Sequence, residues 1–252
     1  MSDARNYGLK YASGEYVSFI DSDDYVDIHM MEEMYNKVID DKLDMVICNL
    51  DYVDEEEKVI KSLSVCLDKN IKMRDIKKYM LNFYPAACNK LYKKDLFKNG
   101  IKFKIGVWYE DVEFIHRVIP FVNSIGFVNK VLYHYVQRDG TITKTFDKRL
   151  YNYIDNWNGI IDFYKDRNLY NEYKNELEYC YVRYLFATFV KQATNYKDKR
   201  EYDRAVDVAI KNVKEKFPNY RKNKYFYNNL KGIYLLCFNK FIAGIYYKIR
   251  NR

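Results

Sequence analysis

Apolar residues in the first half of the chain follow two spacings, one helical and one extended. The helical spacing covers residues 29–41, where the predicted apolar face comprises Met30, Met31, Met34, Val38 and Ile39. Apolar runs predict a buried strand at Tyr16–Ile20 and a second strand at Leu43–Tyr52, and an acidic turn then leads into a returning strand at Val59–Leu63. Predicted helices alternate with these strands, and such alternation predicts an α/β domain.

From about residue 148 onward the spacing is helical throughout. Apolar residues lie three and four positions apart in residues 150–164, 177–188 and 202–217. The second of these helices is predicted from Leu177, Tyr181, Tyr184 and Thr188. Pro218 ends the third helix. The chain is therefore predicted to consist of an α/β domain over residues 1–147 and a helical region over residues 148–252.

The composition is typical of an ordered protein in a reducing compartment. A hydrophobic fraction of 48% is enough to build a core. The five cysteines are scattered singly, with no C-x-x-C pair, and form neither a disulfide framework nor a zinc-binding pattern. Met1–Arg5 has no apolar core of the kind that a secretory signal contains. A cytoplasmic location is therefore expected.

Positive charge is concentrated at the C-terminal end. The formal net charge is +8, and nine lysines and arginines follow the last acidic residue, Glu215. The apolar stretch Leu230–Tyr247 is interrupted by Asn239 and Lys240, so it is a poor membrane span and a better interfacial helix on anionic lipid. Residues 230–252 are predicted to contact the inner face of the cell membrane, and the alternative is a final helix packed on the core. No nucleic-acid partner is expected, because no known binding motif accompanies the charge.

Four polar residues, Asp21-Ser22-Asp23-Asp24, directly follow the first predicted strand. In open α/β sheets, ligands bind beyond the carboxyl ends of the strands. Asp21 and Asp23 project to the same side of an extended segment, and Mg²⁺ or Mn²⁺ prefers such carboxylates together with substrate phosphates. The alternative is a helix N-terminus, where aspartate is favoured, and Asp24 is expected to cap the helix that follows.

A second acidic motif, Tyr109-Glu110-Asp111-Val112, opens a predicted helix that ends near Pro120. An acidic pair beside aromatic residues suits a general base directed at the same ligand. The alternative is that Glu110 and Asp111 only stabilise the first turn of the helix. By itself, His134 is more typical of a structural histidine.

These motifs belong to a longer series that resembles the family 2 glycosyltransferases with the GT-A fold. The series comprises Ala4-Arg5-Asn6-x-Gly8-Leu9, Ala12-x-Gly14-Glu15-Tyr16, Phe19-Ile20-Asp21-Ser22-Asp23-Asp24-Tyr25, Asn89-Lys90-Leu91-Tyr92, Phe97, Gly106, Tyr109-Glu110-Asp111-Val112-x-Phe114, Tyr133-His134-Tyr135 and Arg138 to Thr143. The resemblance covers roughly residues 1–145 and implies a GT-A (Rossmann-like) domain. Without the resemblance, Asn89-Lys90 is an ordinary loop.

The resemblance implies transfer of a sugar from a nucleotide-sugar, expected to be a UDP-sugar, to a hydroxyl of a sugar or lipid-linked acceptor. It implies inversion at the anomeric carbon and a role in bacterial cell-surface polysaccharide synthesis. It also implies Mn²⁺ or Mg²⁺ held by Asp23 and Asp21, with contact to the donor ribose as an alternative for Asp21. Asp111 would be the general base and Glu110 the alternative. The remaining donor contacts implied are Arg5 at the nucleotide, and His134 and Arg138 at the diphosphate.

The start of the chain departs from the family pattern. Family members normally begin with a strand, a helix and an acidic strand that hold the donor base and ribose, and no such unit precedes Asp3. An incomplete GT-A domain is therefore expected, from a truncated gene or a mis-assigned start. The alternatives are a separate polypeptide that supplies the unit, or a non-catalytic scaffold that retains a fold remnant. The intact Asp21, Asp23 and Asp111 favour an enzyme.

Overall fold

A computed structural model describes residues 1–138, 147–196 and 198–251. Within these residues the chain forms two compact units. The first comprises Met1–Gly106 and Glu110–Asp139, and the second comprises Val107–Tyr109 and Gly140–Arg252. The domain boundary predicted between residues 147 and 148 stays a prediction.

The first unit is built on a sheet flanked by helices. Its strands are β1 (Tyr16–Ser18), β2 (Tyr25–Val26), β3 (Met45–Val53), β4 (Val59–Leu63), β5 (Ile71–Lys72), β6 (Lys90–Lys93) and β7 (Ser124–Val136). Its α-helices are α1 (Ser2–Tyr11), α2 (Met30–Asp40), α3 (Met73–Met80) and α4 (Glu110–Val118). Short 3₁₀ helices lie at Lys94–Asn99 and Ile119–Phe121.

Strands β3 and β7 form the centre of the sheet. The strand order is β1-β6-β3-β7-β2, with β4 also paired to β3 and β5 to β7. β3 and β7 run parallel, from Met45 opposite Ile125 to Val53 opposite Val136, and the other pairs among the described residues are antiparallel. Parallel strands need a long crossover connection, which here carries α3, β6 and α4. The predicted α/β class is confirmed.

Helix α2 covers the sheet with a narrower apolar face than predicted. Met30, Met34 and Val38 are fully buried and belong to the core cluster around β3 and β7. Met31 and Ile39, which were predicted to share that face, are exposed. Positions four apart lie one above the other on a helix, whereas each neighbouring residue is turned away by about 100°.

Strand β1 is shorter and less buried than predicted. The predicted buried strand ran to Ile20, but β1 ends at Ser18, its three residues are half-buried, and Ile20 is exposed. The reason is its position, because β1 lies at the end of the strand order and pairs only with β6 among the described residues. Strands β2 and β5 escaped prediction, since two residues are too few to show a period.

The second unit is helical. Its α-helices are α5 (Asn152–Asp166), α6 (Tyr170–Arg183), α7 (Val190–Ala193), α8 (Lys199–Lys216), α9 (Leu230–Cys237) and α10 (Lys240–Arg250). A π-helical turn, Tyr184–Phe189, joins α6 to α7. Trp157 is fully buried in this unit, with its ring against those of Tyr181 and Tyr184. The predicted C-terminal helical region is confirmed.

Within the part of the chain that the structure describes, no helix is both long enough and apolar enough to cross a membrane.

Candidate active site

The acidic segment after β1 forms a turn that is tied to β7. The Asp24 N–H donates to the Asp21 carbonyl at 3.2 Å. The Asp24 carboxylate accepts from the Tyr133 hydroxyl at 2.5 Å and from the Val136 N–H at 2.9 Å. Burial raises the pKa of Asp24 to about 6, although both hydrogen bonds oppose the rise. Asp24 does not cap α2 as predicted, because β2 intervenes and the helix begins only at Met30.

Arg5 on α1 brings the two predicted acidic motifs together. Its Nη2 donates to Oδ1 of Asp21 at 2.6 Å, and its Nη1 donates to Oδ1 of Asp111 at 2.7 Å and to Oε1 of Glu110 at 3.1 Å. The Arg5 side chain is only 8% exposed. Burial alone would lower the pKa of Arg5, but the three carboxylates raise it, so the guanidinium stays charged. Residues that lie 16, 105 and 106 positions from Arg5 in the sequence therefore meet at one guanidinium.

Asp111 lies in the first turn of α4, and each of its two carboxylate oxygens accepts a hydrogen bond that helps to orient the side chain. Oδ1 accepts from Arg5, and Oδ2 accepts from the Ala87 N–H at 3.1 Å. The Asp111 side chain is 24% exposed and that of Glu110 is 12% exposed, so Asp111 is the more accessible of the two. Burial raises the pKa of Asp111, and burial together with the charge of Asp111 raises the pKa of Glu110. An oriented, partly accessible carboxylate can accept a proton from a hydroxyl placed beside it.

Asp23 is exposed and lines a cleft of about 550 Å³. Arg138 lines the same cleft, as do acidic residues of the β3–β4 turn, Asp54, Glu55 and Glu57. Among the described residues, no three histidine, cysteine, aspartate or glutamate side chains lie close enough together to hold a metal by themselves. Any metal held here would therefore complete its shell with ligand or water oxygens, as Mg²⁺ usually does.

His134 lies on β7 opposite Tyr25 of β2. The two rings stack, with centroids 4.6 Å apart and 13° between their planes. The Nδ1 of His134 is buried and has no hydrogen-bond partner in the described parts of the chain. The last block of the family resemblance runs from Arg138 to Thr143, and all of it after Arg138 lies outside the described residues. The roles assigned to His134 and Arg138 stay predictions.

Two residues at the site had no role assigned from the sequence. Tyr133 donates to Asp24, and Lys90 is fully buried at the start of β6. A signal existed for Lys90, because a lysine inside the short apolar run Asn89–Tyr92 is unusual unless its charge has partners. Tyr133 belongs to the Tyr133-His134-Tyr135 block of the family resemblance, but nothing in the sequence predicts its hydrogen bond to Asp24.

Sequence comparison identifies relatives of the chain. The family described as "Glycosyl transferase family 2" matches residues 1–101, a segment that ends before Glu110. Glycosyltransferase GlyG of Streptococcus pneumoniae is 27% identical over 82% of this chain and 68% of its own length. The minor teichoic acid biosynthesis protein GgaB of Bacillus subtilis is 32% identical over 56% of this chain and 16% of its own length.

A solved structure shares the fold. TarS 1–349 of S. aureus, crystallised in complex with UDP-GlcNAc, is similar with a TM-score of 0.66 and 19% identity, over 87% of this chain and 64% of that one. The predicted GT-A-like fold is confirmed by this likeness. The chain thus spans less than two thirds of the TarS fragment and about two thirds of GlyG. The family match over residues 1–101 and the relatives agree with the motifs and the fold, and together they support a family 2 glycosyltransferase.

Proposed function

We propose that this chain transfers a sugar from a UDP-sugar to an acceptor hydroxyl, with inversion at the anomeric carbon and with help from a divalent metal. The observation that carries the proposal is the junction at Arg5. This one buried side chain joins Asp21, from the motif predicted to face the donor, to Asp111, the predicted base. A metal-and-donor side and an acceptor side within one cluster suit a direct transfer.

Asp111 is the proposed general base. It removes the proton from the acceptor hydroxyl, whose oxygen bonds to the anomeric carbon as the bond from that carbon to the donor phosphate breaks. The diphosphate departs with the bonding electron pair from the opposite face, so the configuration inverts. Arg5 and the Ala87 N–H hold both oxygens of Asp111 and favour its ionised form.

The residues of the cleft fit a divalent metal. Asp23 offers an exposed carboxylate there, and Asp21, two positions earlier, has only Oδ1 bonded to Arg5. Mn²⁺ or Mg²⁺ held by these hard oxygen ligands would neutralise charge on the departing diphosphate. Arg138, in the same cleft, supplies a second positive charge for the diphosphate.

The relatives suggest the substrate class. TarS was crystallised with UDP-GlcNAc, and GgaB is named for teichoic acid biosynthesis. A UDP-sugar donor and a sugar or lipid-linked acceptor in bacterial cell-surface polysaccharide synthesis are therefore proposed.

Helix α10 supports contact with the inner face of the membrane. Phe241, Ile245 and Ile249 lie four positions apart on one face and are exposed by 76%, 45% and 66%. The opposite face packs inward, where Ala243 is buried and Tyr247 meets the Tyr202 ring of α8 at 4.6 Å. Each of the two alternatives predicted for the tail therefore corresponds to one face of α10. The face with Ala243 and Tyr247 packs on the protein, and the face with Phe241, Ile245 and Ile249 is apolar and open. The excess of lysine and arginine that follows Glu215 in the sequence favours anionic lipid as the partner of the open face.

Calorimetric titration of UDP into the purified chain, with and without Mn²⁺, tests the proposed function. Mn²⁺-dependent binding is expected, and Asp23→Asn should abolish it. Glu55→Gln is the matched control, because Glu55 lines the same cleft without an assigned role. Metal-independent binding, or equal binding by Asp23→Asn, would contradict the metal assignment. A folded chain that neither binds UDP nor transfers sugar would favour the non-catalytic scaffold.

A further inference from the structure

Lys90 is a cation buried completely inside the first unit. Its side chain has no exposed surface, and its ammonium donates to the Tyr84 carbonyl at 3.0 Å, to the Ala86 carbonyl, and to Oδ1 of Asn89 at 2.7 Å. An ammonium has three N–H donors, so this one is fully satisfied. All three acceptors are neutral and lie in residues 84–89, the segment that leads into β6. Burying a charge is unfavourable unless it has hydrogen-bond partners, and the three acceptors around Lys90 meet this requirement.

The same segment also contacts the proposed base. The Ala87 N–H donates to Oδ2 of Asp111 at 3.1 Å, and the Ala87 carbonyl accepts from the Tyr92 hydroxyl at 3.3 Å. The segment is therefore held by Lys90 through the carbonyls on either side of Pro85 and presents an amide to Asp111. Pro85 itself has no N–H to donate, and its ring fixes its φ.

We propose that Lys90 is a positioning residue for the sugar transfer. It holds residues 84–89 so that the Ala87 amide orients the carboxylate of Asp111 toward the acceptor hydroxyl. Lys90 itself does not touch the reacting atoms in this arrangement and acts through the segment. The inference rests on the proposed function, since it needs Asp111 as the base.

Lys90→Met tests the inference in the full chain, because methionine has a similar length but cannot donate. The expected result is a fall in kcat on the order of 10- to 100-fold, since a small misplacement of a catalytic group has effects of this size. The KM for the UDP-sugar and the affinity for UDP should change less than about twofold, because the donor motif is untouched. Lys93→Met, on the same strand, removes a lysine charge without these bonds and should leave kcat unchanged.

Two further measurements separate positioning from general damage. In the Asp111→Asn background, Lys90→Met should lower kcat no further, because two residues that act as a unit are not additive. Amide hydrogen exchange at residues 84–89 should accelerate in Lys90→Met, and this readout does not depend on activity. If Lys90→Met fails to fold, Lys90→Leu replaces it, because leucine likewise has no group that can donate a hydrogen bond.

The outcomes distinguish this inference from the proposed function. An inactive wild-type chain, or an active Asp111→Asn variant, removes the proposed function and this inference with it. An active wild type with an inactive Asp111→Asn, but with unchanged kcat or unchanged exchange in the Lys90 variants, overturns only the positioning role. A loss of UDP affinity that matches the loss of kcat, or a further loss in the Asp111→Asn background, also overturns it.

Discussion

Nη1 of Arg5 donates to Oδ1 of Asp111 at 2.7 Å, although the two residues are 106 positions apart in the sequence. The bond makes α1 and the start of α4 dependent on one another. Because the same guanidinium also holds Asp21 and Glu110, one substitution at Arg5 leaves three carboxylates without their shared cation. Stability and activity are therefore expected to respond together to this residue.

Replacing Arg5 by methionine should lower the free energy of unfolding by about 3 kcal/mol, because it leaves buried carboxylates unpaired. Urea unfolding at pH 7 measures the change. The control is Arg200→Met, whose side chain is 91% exposed beside Asp198 and should change stability by less than about 1 kcal/mol. Equal effects of the two substitutions would contradict the stabilising role of Arg5 at the junction.

Asp111→Asn should lower kcat by about 10² to 10⁴, the range found for general bases, while Glu110→Gln should lower it less. Steady-state kinetics with a UDP-sugar and an acceptor measure both values. Glu110 is the matched control, because it precedes Asp111 directly and accepts from the same Arg5 nitrogen. A larger loss in Glu110→Gln would reverse the two assignments.

The rate should also depend on pH through Asp111. Burial raises the pKa of this carboxyl, although Arg5 and the Ala87 N–H oppose the rise. A base must be ionised to act, so kcat/KM should fall as the pH decreases through that pKa, with a midpoint above the ordinary aspartate value of about 3.9. A profile that stays flat down to pH 4 would argue against Asp111 as the base.

Stability at alkaline pH should report the buried charge of Lys90. Burial lowers the pKa of Lys90 from 10.5 to about 8. Between these values the unfolded chain binds a proton that the folded chain has released, so stability should rise with pH across this window. Relative to Lys90→Met, the wild type should gain up to about 3 kcal/mol from pH 8 to 10.5. Urea unfolding of both proteins across this range measures the difference, and a constant difference would show that Lys90 keeps an ordinary pKa.

Membrane contact should depend on the open face of α10. Phe241→Ser should weaken binding to vesicles of phosphatidylglycerol and phosphatidylcholine by about tenfold, because a large apolar side chain no longer enters the lipid. Vesicle sedimentation measures this. Val59→Ser is the control, since Val59 is an exposed apolar residue on β4 with no predicted lipid contact. Equal binding to vesicles of phosphatidylcholine alone would show that attraction to anionic lipid does not contribute to the binding.

Sequence periodicity predicted the second helical stretch well up to one point. Leu177, Tyr181 and Tyr184 are buried as the spacing requires. The next predicted position, Thr188, is only half-buried, and its neighbour Phe189 is fully buried instead. The π-helical turn at Tyr184–Phe189 explains the shift, because a wider turn displaces the inward face by one residue. No residue type in that turn signals it in advance.

The sequence predicted which charged residues belong to the site, but not how they pair. The sequence identified Asp21, Asp23, Glu110 and Asp111 because acidic groups at the ends of predicted elements form recognisable motifs. It could not pair them with Arg5, since an ion pair between residues more than 100 positions apart leaves no local pattern. The resemblance assigned Arg5 to the nucleotide, and the structure bonds both of its terminal nitrogens to carboxylates instead. A nucleotide contact by Arg5 stays a prediction.

The residues that meet at the Arg5 junction are synthesised at different times, so the junction cannot form until the last of them has been made. A ribosome that adds about 5 to 20 residues per second needs roughly 5 to 20 s to make the 105 residues between Arg5 and Glu110. During that interval Arg5 and Asp21 are already present, but Glu110 and Asp111 are not. A nascent chain can therefore assemble the motif predicted to face the donor early, and it can close the junction only after α4 has emerged from the ribosome.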